Sequence, residues 1–263
     1  RGVLPSTEWK RTTYKKPEQQ RWYSGETISL GIGQGYNNFT MLQIAHAMGT
    51  VANNGLKMKP HLVREVLDVE TKASTPVAKE PIGQLPLLPE NLEVIKKGMI
   101  GVNIEGTSAS SFIGAQYVSA GKTGTAQVFT VKQNEKYNAS SIDERMRDHA
   151  LFVAFAPADD PKVALAMVVE NAGFGAQNAA PIARRVFDFV IMGQYPSQED
   201  IEAVQKGQAT RPIGKPRAVA SVPWPPKAAE LASEEPVVAA SAAEKAASAA
   251  SAASAAMKPA SAR

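Results

Sequence analysis

A change of hydrophobic period along the chain limits its architecture more than any other feature of the sequence. Before about residue 104 two segments repeat apolar side chains every three to four positions, and from Tyr117 onward apolar residues fall into short extended runs. Met41, Ile44, Ala45, Met48, Val51 and Ala52 share one face of a predicted helix. Asn53-Asn54-Gly55 stops it, because Asn and Gly tolerate left-handed backbone. A second helix is predicted over Pro89–Ile104, with Leu92, Ile95, Met99 and Val102 on one side. Between the two, Pro60–Leu67 reads as a strand and Asp68–Pro89 as a polar loop. Three strand-like segments follow at Tyr117–Phe129, His149–Ala156 and Lys162–Glu170, the first two separated by a charged loop over Thr130–Asp148. Asp159-Asp160-Pro161 is a tight-turn signal that makes the last two an antiparallel hairpin. A final helix starts near Pro181, carries Ile182, Val186, Phe189 and Val190 on one side and stops at Gly193. The expected class is α/β (α+β), an antiparallel sheet flanked by helices.

Composition narrows the function. A net charge of +4 on 263 residues does not demand a nucleic-acid partner and suits a solvated protein near a membrane or an anionic polymer. The absence of cysteine excludes disulfides and thiolate metal sites, and His46, His61 and His149 have no partner at ligand spacing, so neither metal nor cofactor is expected. Arg1-Gly2-Val3-Leu4-Pro5 has no signal-peptide character, and no run approaches the ~18 apolar residues of a spanning helix. The start is read as an internal cut. Beyond Tyr195 the sequence turns Pro-rich at Val222-Pro223-Trp224-Pro225-Pro226 and then becomes an Ala/Ser tract with almost nothing large to bury. Residues 1–195 are therefore expected to form the folded part and 196–263 a disordered tail.

Near the start, Trp9, Tyr14, Trp22 and Tyr23 stand among Lys and Arg, which predicts basic side chains lying over aromatic rings. Thr27–Leu30 has short extended character and runs into Gly31-Ile32-Gly33-Gln34-Gly35. A strand followed by glycines and a helix is the setting of a phosphate cradle. The G-x-G-x-x-G spacing and the P-loop Gly-Lys-Ser/Thr are both missing, however, so close packing in a turn explains these glycines better.

The chemistry sits in Gly121-Lys122-Thr123-Gly124-Thr125-Ala126-Gln127. On a strand, Ser119, Thr123, Thr125 and Gln127 form a hydroxyl and amide row, while Lys122 falls among Val118, Ala120, Ala126 and Val128. Gly121 and Gly124 mark places where another backbone or a ligand comes close. Together they describe an edge strand with a cationic centre and room for a peptide alongside.

Lys122-Thr123-Gly124-Thr125-Ala126-Gln127 resembles the third motif of penicillin-binding transpeptidases, whose signature set is K-T-G with S-x-x-K and S-D-N. Gly31-Ile32-Gly33-Gln34-Gly35-Tyr36, then Thr40-Met41-Leu42-Gln43 and the Asn53-Asn54-Gly55 stop, is similar to the preceding segment of class B enzymes. The glycine wording is closer to the elongation branch, penicillin-binding protein 2, than to the division-specific one. The resemblance covers about residues 1–195 and implies a β-lactamase-like fold with its N-terminal part missing. It implies that Lys122 supports the proton network around a serine and attracts an anionic substrate. Thr123, Gly124 and Thr125 would bind the terminal carboxylate of a D-Ala-D-Ala peptide or of a β-lactam, and the Thr125 N–H would form half of an oxyanion hole. The implied reaction is stem-peptide cross-linking through a serine acyl-enzyme, blocked by β-lactams. Implied partners are peptidoglycan stem peptides, a lipid-linked glycan polymerase and other elongation-complex proteins. An inner-membrane anchor with the catalytic domain in the periplasm, and no nucleic acid, complete the picture.

The nucleophile in S-x-x-K and the second motif S-x-N are expected upstream of Arg1. Ser119-Ala120-Gly121-Lys122 fits S-x-x-K only formally, because at strand spacing its ends point to opposite faces. Tyr36-Asn37-Asn38 mimics the second motif but reads as a turn before a helix. Residues 1–263 alone are therefore expected not to be acylated by penicillin. A β-lactamase or β-lactam sensor would share the strand motif, and a non-catalytic structural or partner-binding domain of the same fold is the remaining alternative.

Overall fold

The computed structural model describes residues 2–128, 138, 141–208 and 210–222. Residues Arg1–Arg217 form one compact unit and Ala218–Arg263 a second, of which residues 218–222 are described and contain the 3₁₀ turn Val219–Ser221. Phe129, most of the Thr130–Asp148 loop and the Ala/Ser tract lie outside the described residues.

The first unit opens with three short helices, α1 (Thr7–Thr13), α2 (Pro17–Gln20) and α3 (Ser24–Gly31). The expected extension at Thr27–Leu30 is thus helical. Glu26, third in α3, accepts the Tyr23 N–H at 2.9 Å and so satisfies a helix-start donor that a strand would leave elsewhere. Helix α4 (Met41–Ala52) begins with a reciprocal cap in which Gln43 N–H donates to the Thr40 hydroxyl and Thr40 N–H to the Gln43 side chain. It ends as its sequence predicts, with Asn54 at φ 53° and Gly55 at φ 84°.

The next stretch departs from the sequence reading. In place of one strand and a polar loop there are two small antiparallel pairs. Strand β1 (Leu56–Met58) pairs with β4 (Pro81–Gln84), and β2 (Glu65–Leu67) pairs with β3 (Ser74–Pro76). The segment has few apolar alternations because these strands are exposed on both sides, so hydrophobic period could not reveal them. Helix α5 (Pro89–Ile104) has the predicted limits but a rotated inner face. Leu92 and Asn103 are buried and Lys96 is half-buried, at positions 92, 96, 99 and 103 of one stripe, while Ile95 is exposed. The Lys96 ammonium caps α4 by donating to the Ala52 carbonyl at 3.0 Å and to Asn54 Oδ1 at 2.7 Å. Burial lowers its pKa from the ordinary lysine value.

After α6 (Ala109–Phe112) come β5 (Ala120–Ala126), β6 (His149–Ala156) and β7 (Val163–Val169). Among the described residues they form one antiparallel sheet in the order β5-β6-β7, with Thr123 opposite Phe152 and Phe152 opposite Met167. Strand β6 is covered on both faces, which is why it reads as a continuous apolar run. One face places Ala150, Phe152, Ala154 and Ala156 against Phe112 and the helices α7 (Gly175–Asn178) and α8 (Ala180–Met192). The other places Phe155 with Ala120 and Ala52, beneath α4 and α5.

Helix α8 turns the opposite side to the core from the one expected. Ala180, Ala183, Arg184 and Phe187 are buried, whereas Ile182, Phe189 and Val190 are exposed and Val186 is half-buried. The alanines of β6 leave a shallow face that admits a helix closely only through small side chains, so size-based ranking picked the wrong stripe. Buried Arg184 is paired through its Nε and Nη1. Its Nε donates to both Asp188 carboxylate oxygens at 2.9 Å, and its Nη1 donates to the Ser111 and Ile113 carbonyls at the end of α6. The Tyr117 hydroxyl donates to the same Asp188 at 2.8 Å, and burial, helped by that carboxylate, pushes the phenol well above its ordinary range. Gly193 ends the helix in left-handed backbone, φ 61°.

The boundary expected after Tyr195 falls inside the first unit. A short strand β8 (Gln194–Tyr195) leads into helix α9 (Gln198–Gln205), capped by the Ser197 hydroxyl, which accepts from Asp200 N–H at 2.9 Å. Asp200 has no solvent exposure and takes a two-pronged bond from Arg185, at 2.9 and 2.6 Å. A tail reading based on missing large apolar residues could not register a segment anchored by one buried ion pair. No helix among the described residues is long and apolar enough to cross a membrane.

Candidate active site

Strand β5 carries Lys122, Thr123, Gly124 and Thr125 together, and it lies at the edge of the sheet, paired only with β6 among the described residues. Its start is held from behind by a buried polar cluster. Asn103 Nδ2 donates to the Ser119 hydroxyl at 2.8 Å, and Asn103 Oδ1 accepts from the Ser108 hydroxyl at 2.6 Å. A β-carbon on Gly121 would stand 2.6 Å from the Phe152 ring and 3.1 Å from Asn103 Oδ1, so glycine is what lets α5 and β6 close on this strand. At Gly124 the close approach is to backbone. A β-carbon on Gly175, at the start of α7, would run into the Leu151 carbonyl and stand 2.5 Å from that of Gly124.

The strand's outer edge is met by one donor from outside the sheet and one from the strand itself. Gln34 Nε2 donates to the Thr125 carbonyl at 3.3 Å, and Lys122 Nζ donates to the Thr123 carbonyl at 2.8 Å. These carbonyls are two residues apart, the spacing at which strand carbonyls point the same way. Residues 123 and 125 therefore turn their C=O and N–H groups outward. The Thr123 and Thr107 hydroxyls are 3.0 Å apart. Lys122 is exposed, not embedded among apolar neighbours as alternation suggested, because Val118 on the same side is itself 49% exposed. Ser119, the false partner of Lys122 in S-x-x-K, is buried on Asn103.

The glycine segment approaches this edge. It follows α3 and not a strand. Gly33 and Gly35 take φ 81° and 70°, and between them the Gln34 N–H donates to the Ser29 carbonyl at 2.9 Å. Asn37 Nδ2 donates to the Gln34 carbonyl at 3.0 Å; Gly35 and Tyr36 form a turn, and Asn38 makes an isolated antiparallel bridge with Val3. Tyr36 donates at 2.9 Å to Glu26, which is also paired with Lys10. The Lys10 ammonium sits 5.2–5.9 Å from the ring centroids of Trp22, Tyr23 and Tyr36 and donates to the Arg21 carbonyl at 2.7 Å. Burial alone would lower its pKa, but the Glu26 carboxylate carries it above the ordinary value. Glu26 is held below its own ordinary value, first by Lys10 and then by the Tyr23 N–H.

Sequence reasoning placed Lys122, Thr123, Gly124 and Thr125 on one strand, as the structure does, and missed Asn103, Thr107, Gln34 and Gly175 as neighbours of that strand. Asn103 left a trace, a polar residue at i+11 from Leu92 on an apolar stripe, but the others left none. His46 and His61 bond to the Met58 and Val63 carbonyls, and His149 accepts from Asn171 N–H. No cluster of potential metal ligands exists among the described residues. A cavity of about 480 Å³ between α8 and α9 touches none of the β5 residues, and its Arg184, Arg185, Asp188 and Asp200 are already paired with one another.

A model of the penicillin binding protein transpeptidase domain matches residues 10–188. The chain belongs to that family. Peptidoglycan D,D-transpeptidase MrdA of Haemophilus influenzae is 42% identical over 205 residues, 74% of this chain and 30% of that protein. MrdA of Escherichia coli K12 is 40% identical over 195 residues, 73% of this chain and again 30% of the relative. Among solved structures, Pseudomonas aeruginosa PBP2 in complex with WCK 5153 matches at 38% identity with a TM-score of 0.56, over 71% of this chain and 37% of that one. Helicobacter pylori PBP2 in complex with MreC matches at 26% identity with a TM-score of 0.54, over 73% and 31%. This member of the penicillin-binding transpeptidase family thus spans about 30% of the length of the curated relatives it matches.

Proposed function

We propose that this chain supplies the substrate-binding edge of a peptidoglycan D,D-transpeptidase of cell elongation, completed by a serine on sequence upstream of residue 1. The observation that carries the reading is the open edge of β5, where Thr123 and Thr125 face outward in a Lys-Thr-Gly-Thr motif. An extended stem peptide adds to that edge as a further strand. Its terminal carboxylate meets the Thr123 and Thr125 hydroxyls in the positive potential of Lys122. The outward Thr125 N–H stabilises the oxyanion that forms when the serine attacks the penultimate D-Ala carbonyl, a donor worth roughly 3–4 kcal/mol. The last D-Ala leaves, an amine of a neighbouring stem peptide takes the acyl group, and the serine is regenerated. A β-lactam enters by the same edge and stays as the acyl-enzyme.

The MrdA relatives favour the elongation assignment, and the PBP2–MreC complex of H. pylori favours an elongation-complex partner of that kind. A lipid-linked glycan polymerase as partner, an upstream inner-membrane anchor and a periplasmic catalytic domain complete the proposal. The test is fluorescent-penicillin labelling of the full-length protein beside Lys122→Ala and Thr125→Pro. Proline deletes the Thr125 N–H and is tolerated at an edge position whose N–H faces outward. Covalent labelling of the wild type, slowed roughly a hundredfold or more in Thr125→Pro, is the expected result. A wild type that never labels would leave only a non-catalytic domain of this fold.

A further inference from the structure

The outward edge of β5 has no neighbouring strand among the described residues to hold it in register, and one side chain takes that place. Gln34 Nε2 donates to the Thr125 carbonyl from the Gly31–Gly35 turn, across 91 positions of sequence. The turn is built to present that side chain. Gly33 and Gly35 adopt left-handed φ values on either side. The Gln34 N–H and C=O are both spoken for, by the Ser29 carbonyl and Asn37 Nδ2. Behind the turn, Tyr36 is tied to the Lys10–Glu26 pair. With its backbone pinned, Gln34 turns its side-chain donor to the strand.

We infer that Gln34 is a positioning residue for acyl transfer. It acts as a one-residue substitute for an outer strand, fixing Thr125 so that the N–H of the same residue stays aimed at the developing oxyanion. Gly124, which precedes Thr125, is held by its pairing with Leu151 but adds no side chain of its own, and Gln34 supplies a second constraint from the carbonyl side. This inference rests on the transpeptidase reading above. It assigns the glycine segment a purpose beyond turn-making.

The experiment measures β-lactam acylation of the full-length protein, separating the acylation rate constant from initial non-covalent binding. Gln34→Ala is expected to lower the rate constant roughly tenfold or more, with initial binding little changed, as misplacement of a preorganised group does. Gln34→Glu gives the second readout. Its carboxylate has no proton to donate near neutral pH and repels the Thr125 carbonyl. As pH falls into the carboxyl range, near ~4.3, it regains a donor and its rate, relative to wild type at the same pH, should recover. A Gln34→Ala rate equal to or above wild type overturns the inference, as does a Gln34→Glu deficit that ignores pH. A wild type that is not acylated at all overturns the transpeptidase reading and this inference with it, whereas normal wild-type acylation with an indifferent Gln34→Ala removes the inference alone.

Discussion

Lys10 and Lys122 receive opposite treatment in one domain. Lys10 is 2% exposed, and its ammonium is divided among a carboxylate, a main-chain carbonyl and three aromatic faces. Lys122 stands in solvent on an open strand, donating to the carbonyl of its own neighbour, with no ion-pair partner among the described residues. A cation that holds structure together has every direction occupied, because a buried charge without partners is costly. On the transpeptidase reading proposed above, a cation that attracts an arriving anion is left on a strand with no carboxylate beside it among the described residues. Glu26 makes the first arrangement, and among the described residues no carboxylate pairs with Lys122.

The contrast breaks if the two lysines respond alike to substitution. Lys10→Met is expected to bring the largest loss of thermal stability, roughly 10 °C, because it leaves Glu26 half-paired beside three rings. The same pair sets a pH window. Glu26 has a lowered folded pKa, so its contribution is complete above the ordinary carboxyl value and is lost as pH falls through the lowered one. Lys10 has a raised folded pKa, so its contribution is complete below the ordinary lysine value and is lost as pH rises through the raised one. Melting curves of the full-length protein across acid pH should therefore fall less steeply for Lys10→Met than for wild type.

Gly175→Ala comes next. Its new methyl meets the Leu151 and Gly124 carbonyls, rigid backbone that cannot swing aside, for an overpacking cost of about 1–3 kcal/mol. Denaturant melts would measure it, and penicillin labelling should slow in parallel because the strain is delivered to β5. An unchanged labelling rate would separate α7 from the edge. The smallest effect is that of Lys122→Ala on stability, about a degree or less in Tm, despite its expected cost in labelling. A large drop in Tm would make Lys122 a second structural lysine.

Much of this was legible beforehand where period was strong and bounded. The limits of α4 and α5, the β6–β7 hairpin and the placing of Lys122 to Thr125 on one strand all rest on local patterns that tertiary packing did not need to alter. The failures share one cause, which is that the deciding partner was distant in sequence. Thr27–Leu30 looks extended by itself and is helical because of Glu26 capping. The inner face of α8 was chosen by alanines on β6, and Asp200 is ordered by an arginine on another helix. Gln34 and Thr125 are joined by geometry that no spacing rule expresses.

The open edge of β5 has a cost as well as a use. A row of outward C=O and N–H groups that accepts one extended peptide will equally accept the same row from a second molecule, the route by which sheets grow into aggregates. Two copies of this strand meeting edge to edge would bring Lys122 ammonium groups close together, and the amide of Gln34 already occupies one of the carbonyls they would need. On the proposed reading, the residues that would serve the edge's ligand would therefore also keep the protein from polymerising through it.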